Sequence, residues 1–113
     1  MIEELRQIEF HDLPVKSLAI DFNANSLELF VKDYDDTKKD YFGIKIKFED
    51  ISCFFFEKTV EMKISDIYHC SIKEENSQYY IDFIFLSHRP TISCEVSFYF
   101  KSVSIEYPIT IDW

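Results

Sequence analysis

The sequence predicts an all-β protein, a single-domain antiparallel β-sandwich or flattened barrel of about eight or nine strands. From Phe42 to Ile109, apolar and polar residues keep alternating with period two, most clearly between Ile92 and Lys101. Side chains alternate between opposite faces only on a strand, so each such stretch describes a sheet with one dry face. The chain also has twelve phenylalanines, seven tyrosines and a single glycine, and no stretch shows the spacing of a long amphipathic helix.

The elements follow in chain order from these alternations. Ile2, Leu5 and Ile8 recur at every third position, which fits a short helical turn or an extended lead-in. Strands are then expected around positions 18–22, 27–31, 44–48, 51–56, 60–64, 68–72, 81–85, 92–100 and 103–107. Short polar turns separate most of them, and this favours antiparallel neighbours because a parallel crossover needs a dozen or more residues.

The aromatic residues leave the outer surface open to two interpretations. Ile51–Phe56 is apolar except for Ser52, which suits a strand covered on both faces or an edge used for contact. Phe54–Phe56 and Tyr79-Tyr80 place rings on both faces of their strands, and a one-sided core cannot hide both sets. Either a second layer covers these rings, or they line a groove or a self-association surface, so a homodimer is one expectation.

Length and composition predict one cytoplasmic domain spanning residues 1–113. No apolar run approaches the length needed to cross a bilayer, and the start of the chain is acidic, unlike a signal peptide. Cys53, Cys70 and Cys94 are an odd number with no close spacing. Because Cys70 and Cys94 fall on the apolar parity of their strands, buried free thiols in a reducing compartment are expected.

The charge balance narrows the class of partner. Twenty-one acidic residues against twelve basic ones give a formal net charge of −9. This field repels phosphate backbones and anionic lipids, so neither nucleic acid nor a membrane is expected as a partner. It would attract a basic protein and speed the encounter. The alternative is that the surplus carboxylates only keep a small aromatic-rich protein in solution.

His11-Asp12 is the sharpest local feature of the sequence. An imidazole beside a carboxylate, just before a strand, could serve acid–base chemistry, a metal ion or the charge of a partner. The structural alternative is that Asp12 caps the turn before Pro14 while His11 hydrogen-bonds the backbone. No nucleophile or third ligand is identifiable nearby, so binding is expected rather than catalysis.

The segment Asp33–Asp40 is predicted as the one long loop. Its carboxylates, Asp33, Asp35, Asp36 and Asp40, could form an acidic prong for a basic protein, with Tyr34 among them. Calcium binding is disfavoured because the sharp-turn glycine and the distal bidentate glutamate of an EF-hand loop are missing. A simple solvated loop is the remaining interpretation.

No other pattern indicates a cofactor or a metal. His69 lies on the polar face of its strand and His88 in a turn, and the sequence has no C-x-x-C or H-x-x-x-H spacing of the kind that announces zinc. We therefore expect a protein that is not an enzyme and that holds no cofactor.

Short motifs in the first half of the chain carry a family resemblance. They are Phe10-His11-Asp12, the strands through Leu18-Ile20-Phe22 and Leu27-Leu29-Val31, and Ile46-Lys47-Phe48-Glu49-Asp50-Ile51. In this order they resemble a group of small bacterial β-rich proteins, some of unknown function and several grouped with immunity proteins of polymorphic toxin systems. The resemblance implies a cytoplasmic, acidic antitoxin that blocks a secreted toxin by direct contact.

The resulting expectation is a non-enzymatic protein-binding module, an immunity protein that neutralises a basic toxin domain. The partner-binding residues expected from the sequence are His11, Asp12, Asp33, Tyr34, Asp35, Asp36 and Asp40. The alternatives are a β-barrel that holds a small apolar ligand among its aromatic residues, and a structural domain without a binding role.

Overall fold

The computed structural model describes residues 2–57, 64–88 and 91–112. In chain order, the described elements are α1 (Ile2–Gln7), β1 (Val15–Asp21), β2 (Ser26–Asp35), β3 (Asp40–Glu49), β4 (Ser52–Glu57), β5 (Asp66–Glu75), β6 (Gln78–His88), β7 (Thr91–Phe100) and β8 (Ser102–Ile109). The strands form two four-stranded sheets: the front sheet has the order β1-β2-β3-β8 and the back sheet β4-β7-β6-β5. Every pairing is antiparallel. The predicted all-β fold is confirmed in its sandwich form.

The register of β2 against β3 follows from the apolar pattern. Leu27 lies opposite Phe48 and Leu29 opposite Ile46, and all four side chains are fully buried. Because side chains alternate with period two, a slip of one residue would turn this entire set toward solvent.

Phenylalanine rings fill the space between the sheets. The Phe48 ring of the front sheet meets Phe83, Phe98 and Phe100 of the back sheet, at centroid distances of 6.3, 5.1 and 4.9 Å. The interplanar angles are 68–75°, the edge-to-face arrangement that aromatic quadrupoles favour. The interior is therefore a packed core.

Residues 2–14 pack along one side and across one end of the sandwich. Leu5 of α1 is fully buried, and the helix contacts β8 while sharing a groove with Cys70 and Ile72 of β5. The chain then crosses to β1, held by hydrogen bonds from the Asp12 N–H to the Ile67 carbonyl (2.7 Å) and from the Lys32 N–H to the Pro14 carbonyl (3.1 Å). The lead-in thus ties the two sheets together.

The predicted long loop at Asp33–Asp40 is wrong, because β2 continues to Asp35 and β3 begins at Asp40. Only the turn at 36–39 separates them. The Tyr34 and Tyr41 rings pack across the hairpin with centroids 5.0 Å apart. Asp35 Oδ1 accepts hydrogen bonds from the N–H groups of Thr37 (2.9 Å) and Lys38 (3.2 Å). The two strands stay paired here although neither face of the hairpin is buried. The alternation of apolar and polar residues therefore did not predict this part of the hairpin.

Two other predicted strands differ from expectation. Of the two interpretations of Ile51–Phe56, the structure supports an edge: β4 is the outermost strand of the back sheet, and most of its side chains are exposed. The strand predicted through Val60 and Met62 lies outside the described residues. Ile64, its last apolar position, precedes β5 without belonging to a strand.

The three cysteines form no disulfide, and their burial largely follows the expectation. Cys94 is buried and Cys70 is partly exposed, whereas Cys53 on β4 is exposed. Burial, reinforced by the negative charge of Asp82, raises the pKa of the Cys70 thiol to about 12. Cys70 therefore stays a protonated thiol at neutral pH.

Within the described ranges, no helix is long and apolar enough to cross a bilayer.

Replacing Phe48 by alanine should lower the free energy of unfolding by about 3–5 kcal/mol, because it opens a cavity at the centre of the inter-sheet core. Chemical denaturation measures this change. The control is Tyr68→Phe, which keeps the exposed ring on β5, removes only its hydroxyl and should stay within about 0.5 kcal/mol of the wild type. Equal losses for the two variants would contradict the core described above.

Candidate functional site

One end of the sandwich collects the residues that the sequence singled out. The antiparallel registers bring together the start of β1, the end of β2, the start of β3 and the end of β8. The lead-in crosses the same end, since Pro14 lies beside Asp66 and bonds to Lys32. We call this surface the acidic end; it comprises Glu9, His11, Asp12, Asp33, Tyr34, Asp35, Asp36, Asp40, Tyr41 and Tyr107.

The two faces of the β2–β3 hairpin carry different chemistry. Asp33 lies opposite Phe42 and Asp35 opposite Asp40, on the parity that points toward the core further along the strands. Tyr34 and Tyr41 pair on the other face. The apolar register of the core therefore also sorts the hairpin into a carboxylate face and a tyrosine face.

Backbone hydrogen bonds orient the hairpin carboxylates. Asp33 Oδ1 accepts from the Tyr34 N–H at 2.7 Å, and Asp40 Oδ1 accepts from the Tyr41 N–H at 2.8 Å. Asp35 uses one oxygen to hold the turn, and Asp36 is exposed at its tip. Asp35 and Asp40, directly opposite each other, are like charges in a position that destabilises a sheet.

Two adjoining grooves run beside the carboxylate face, with volumes of about 420 and 300 Å³. Phe42 and Tyr107 line both grooves. Asp35, Asp40 and Lys38 line the larger one, while Asp33 lines the smaller one together with Glu4 and Glu9. Carboxylates thus flank a floor of apolar and aromatic side chains.

The chain that follows β8 forms the far wall of the larger groove. This part of the chain can pack closely on β3 because residue 43 is a glycine. A Cβ at position 43 would stand 2.6 Å from Phe30 Cε1 and 2.8 Å from Ile111 Cγ2. The Phe30 ring and the Ile111 side chain therefore close over the bare backbone of β3. The single glycine of the sequence allows this close approach.

Three exposed tyrosines surround these carboxylates. Tyr34, Tyr41 and Tyr107 expose 44%, 50% and 57% of their surface. Tyr41 also lies under the Lys32 ammonium, which is 4.8 Å from the ring centroid. Exposed tyrosines are common anchors of protein interfaces, because each offers a large rigid surface with a hydroxyl at its tip.

His11 and Asp12 lie at this end as a paired, exposed turn. His11 Nδ1 is 2.7 Å from the Tyr68 carbonyl oxygen, to which it donates a hydrogen bond, and Nε2 is 3.3 Å from Asp12 Oδ2. The imidazole also packs edge-on against the Tyr68 ring. His11 thus fixes the lead-in to β5, as the structural alternative expected, while Asp12 adds a carboxylate to the surface.

Sequence reasoning missed a second histidine–aspartate pair. His88 Nε2, at the end of β6, lies 2.9 Å from Asp66 Oδ2 at the start of β5. The residues are 22 positions apart, and the β5–β6 register brings them together, with Asp66 opposite Leu86. A register counted from the turn between β5 and β6 would put Asp66 opposite Ser87 and His88 on the other face. A register irregularity near the start of β5 shifts Asp66 to face Leu86, so no pattern in the sequence predicted the pair. Among the described residues, no three His, Cys, Asp or Glu side chains converge to hold a metal ion.

A carboxylate pair on the outer face of the back sheet was also missed. Asp82 of β6 and Glu95 of β7 are diagonal neighbours. Hydrogen bonding to Asp82 and the negative charge of Asp82 raise the pKa of Glu95, and Glu57 adds to this. The pair holds a proton more readily than isolated carboxylates do, and it lies on a different face from the hairpin.

No protein-family model, curated protein or solved structure matches this chain.

Glu95→Gln should raise the melting temperature at pH 7. The pKa of Glu95 is raised in the folded state, so folding favours its protonated form and wild-type stability falls as the pH rises through that value. The gain should vanish well below pH 4.5, the ordinary value for glutamate, because wild-type Glu95 is then protonated in both states. Thermal unfolding followed by circular dichroism at several pH values measures it.

Glu106→Gln is the control for this experiment, since it removes one negative charge from β8 on the other sheet. A destabilised Glu95→Gln protein at pH 7, or a gain that is the same at all pH values, would contradict the shared-proton description.

Proposed function

We propose that this protein is a non-enzymatic binding module that recognises a basic protein through the acidic end. The observation that carries the proposal is the hairpin, which places Asp35 directly opposite Asp40 beside exposed Tyr41 and Tyr107. Cross-strand neighbours have Cβ atoms about 5 Å apart. One guanidinium or ammonium group of a partner can therefore meet both carboxylates.

The energetics of the free protein favour such a partner. Two like charges opposite each other destabilise a sheet by up to about 1 kcal/mol. A cation seated between Asp35 and Asp40 converts this repulsion into attraction. The net charge of −9 acts at longer range and steers a basic surface toward the protein.

The grooves supply the short-range part of recognition. Phe42 and Tyr107 form a continuous apolar surface between the two sets of carboxylates. The aliphatic stem of a lysine or arginine can lie on these rings while its charged end reaches Asp33 or Asp40. Tyrosine anchors and rim carboxylates together give affinity and rapid encounter.

We further propose that the partner is a toxin domain and that the protein acts as a cytoplasmic immunity protein. Support comes from the acidic surface and from the sequence resemblance at Phe10-His11-Asp12. The mechanism is occlusion: the acidic end covers a basic functional surface of the toxin, and the protein itself performs no chemistry.

The alternative of an internal ligand site has less support. Phe48, Phe83, Phe98 and Phe100 fill the space between the sheets. The grooves described above lie on the surface at the acidic end. A recognition surface therefore accounts for more of the structure than an apolar ligand cavity does.

Neutralising the carboxylates of the hairpin should weaken binding of the partner. Immobilised wild-type protein is expected to retain a basic protein from a lysate of the native host at low salt and to release it at high salt. The double variant Asp35→Asn/Asp40→Asn should bind the recovered protein at least about tenfold more weakly. The control Glu49→Gln/Glu74→Gln removes the same charge at the opposite end and should bind like the wild type.

Tyr107→Ala tests the aromatic part of the same surface, since this ring is shared by both grooves. It should weaken binding of the recovered protein by about tenfold or more while changing the salt dependence little. Capture of no protein at either salt concentration, or equal binding by the hairpin double variant, would overturn the proposal.

A further inference from the structure

β4 is an edge strand of the back sheet among the described strands. β4 pairs with β7 on one side, and on its other side no strand partner lies among the described residues. A free edge presents a row of backbone donors and acceptors to which another strand can add. Proteins often blunt such edges with lysine, proline or a β-bulge. Ser52–Glu57 contains neither lysine nor proline, and its register irregularity lies at the start of the strand, between Ser52 and Phe55, before the regular pairing of residues 55–57 with β7.

The β4 edge is also unusually apolar. Phe55 and Phe56 expose 47% and 42% of their surface, and Phe22, at the end of the neighbouring β1, exposes 73%. The Phe22 ring meets Phe54 at 6.5 Å, and Phe54 stacks on Phe56 at 6.3 Å. We call Phe22, Phe54, Phe55 and Phe56 the phenylalanine edge.

We propose that the phenylalanine edge is a self-association surface, at which two copies of this chain pair antiparallel through β4 around a two-fold axis at Phe55. The two back sheets would then form one continuous eight-stranded sheet across the dimer. This proposal is independent of binding at the acidic end, which lies on other residues.

The faces of β4 are compatible with this register. Phe55 and Glu57 lie opposite Ser97 and Glu95 of β7, on the outer face of the sheet. Phe54 packs against Phe98 of the core at 6.2 Å, so it faces inward. Cross-strand neighbours must share a face. Phe55 opposite Phe55 of the second copy meets this requirement.

The same register pairs every ring of the strand with another ring. Phe54 of each copy then lies opposite Phe56 of the other, beside the Phe22 rings. The sequence Phe54-Phe55-Phe56 reads alike in both directions, which is what an antiparallel two-fold pairing requires. A second copy therefore fits this edge better than an unrelated strand.

The charges of β4 are compatible with a second copy and offer little to a basic partner. Glu57 is the one charged residue of the strand. In the Phe55-centred register it lies opposite Cys53 of the second copy, and the two Glu57 residues stand roughly 13 Å apart along the strands. Like charges thus do not meet across the new ladder.

The size of the surface predicts a reversible dimer. The exposed parts of Phe22, Phe55 and Phe56 offer about 300 Å² per copy, to which the backbone edge adds. The side chains of two copies would together bury about 600 Å², which is below the usual size of a specific interface and typical of a weak contact. Each copy also carries a net charge of −9, so the copies repel at a distance and added salt should strengthen the dimer.

Sedimentation of the full chain over a range of concentrations tests the proposal. The wild type should shift from monomer to dimer as concentration rises, and more readily at high salt. Phe55→Lys should weaken dimerisation by at least about tenfold, because it places a charge on the two-fold axis. The control Tyr68→Lys changes an equally exposed ring on β5 and should dimerise like the wild type.

Disulfide trapping locates the axis even if Phe55→Lys folds poorly. In a Cys53→Ser background, Phe55→Cys should form a covalent dimer under mild oxidation, since opposed Cβ atoms lie within reach of a disulfide. Tyr68→Cys in the same background should not. A wild type that stays monomeric at every concentration, a dimer unaffected by Phe55→Lys, or a dimer trapped equally well by both cysteines would overturn the proposal.

Discussion

The register of β2 against β3, held by the packing of Phe48 on the back sheet, determines both the core and the surface of this protein. With Leu27 opposite Phe48 and Leu29 opposite Ile46, the apolar set meets the rings of β6 and β7. The alternation then continues past the end of the core. Asp35 and Asp40 consequently share the carboxylate face of the hairpin, while Tyr34 and Tyr41 share the other.

This continuity explains why so acidic a chain can be stable and still have a localised acidic surface. The burial of apolar rings between the sheets offsets the repulsion of carboxylates that lie outside them. Where the hairpin extends beyond the core, no apolar face needs to be hidden, so carboxylates can occupy the positions that point inward further along the strands. The two proposed contacts use different surfaces. The carboxylates beyond the core would bind a basic protein, and the outer edge of β4 would bind a second copy of the chain.

Much of the fold could be predicted because buried faces leave a periodic trace. The parity of Ile81, Phe83 and Phe85 in β6 placed them inward, and they are fully buried. The hairpin extension left no such trace, since Asp33 and Asp35 hide nothing. The pairing partners of β8 and β4 were not predictable either. β8 pairs with β3 and β4 pairs with β7, and in both cases other strands lie between the two partners in the chain. Tyr107 became recognisable only once the pairing of β8 was known, and the His88–Asp66 pair depends on the irregularity in β5.

Amide hydrogen exchange along the β2–β3 hairpin of the free protein tests the central claim most directly. If the ladder runs unbroken from the core to Asp35 and Asp40, ladder amides between Asp33 and Phe42 should be protected, and those of the turn at 36–39 should exchange fast. Uniformly fast exchange from Asp33 to Asp40 would mean that the carboxylates sit on a mobile loop, and the ordered acidic face described above would not exist.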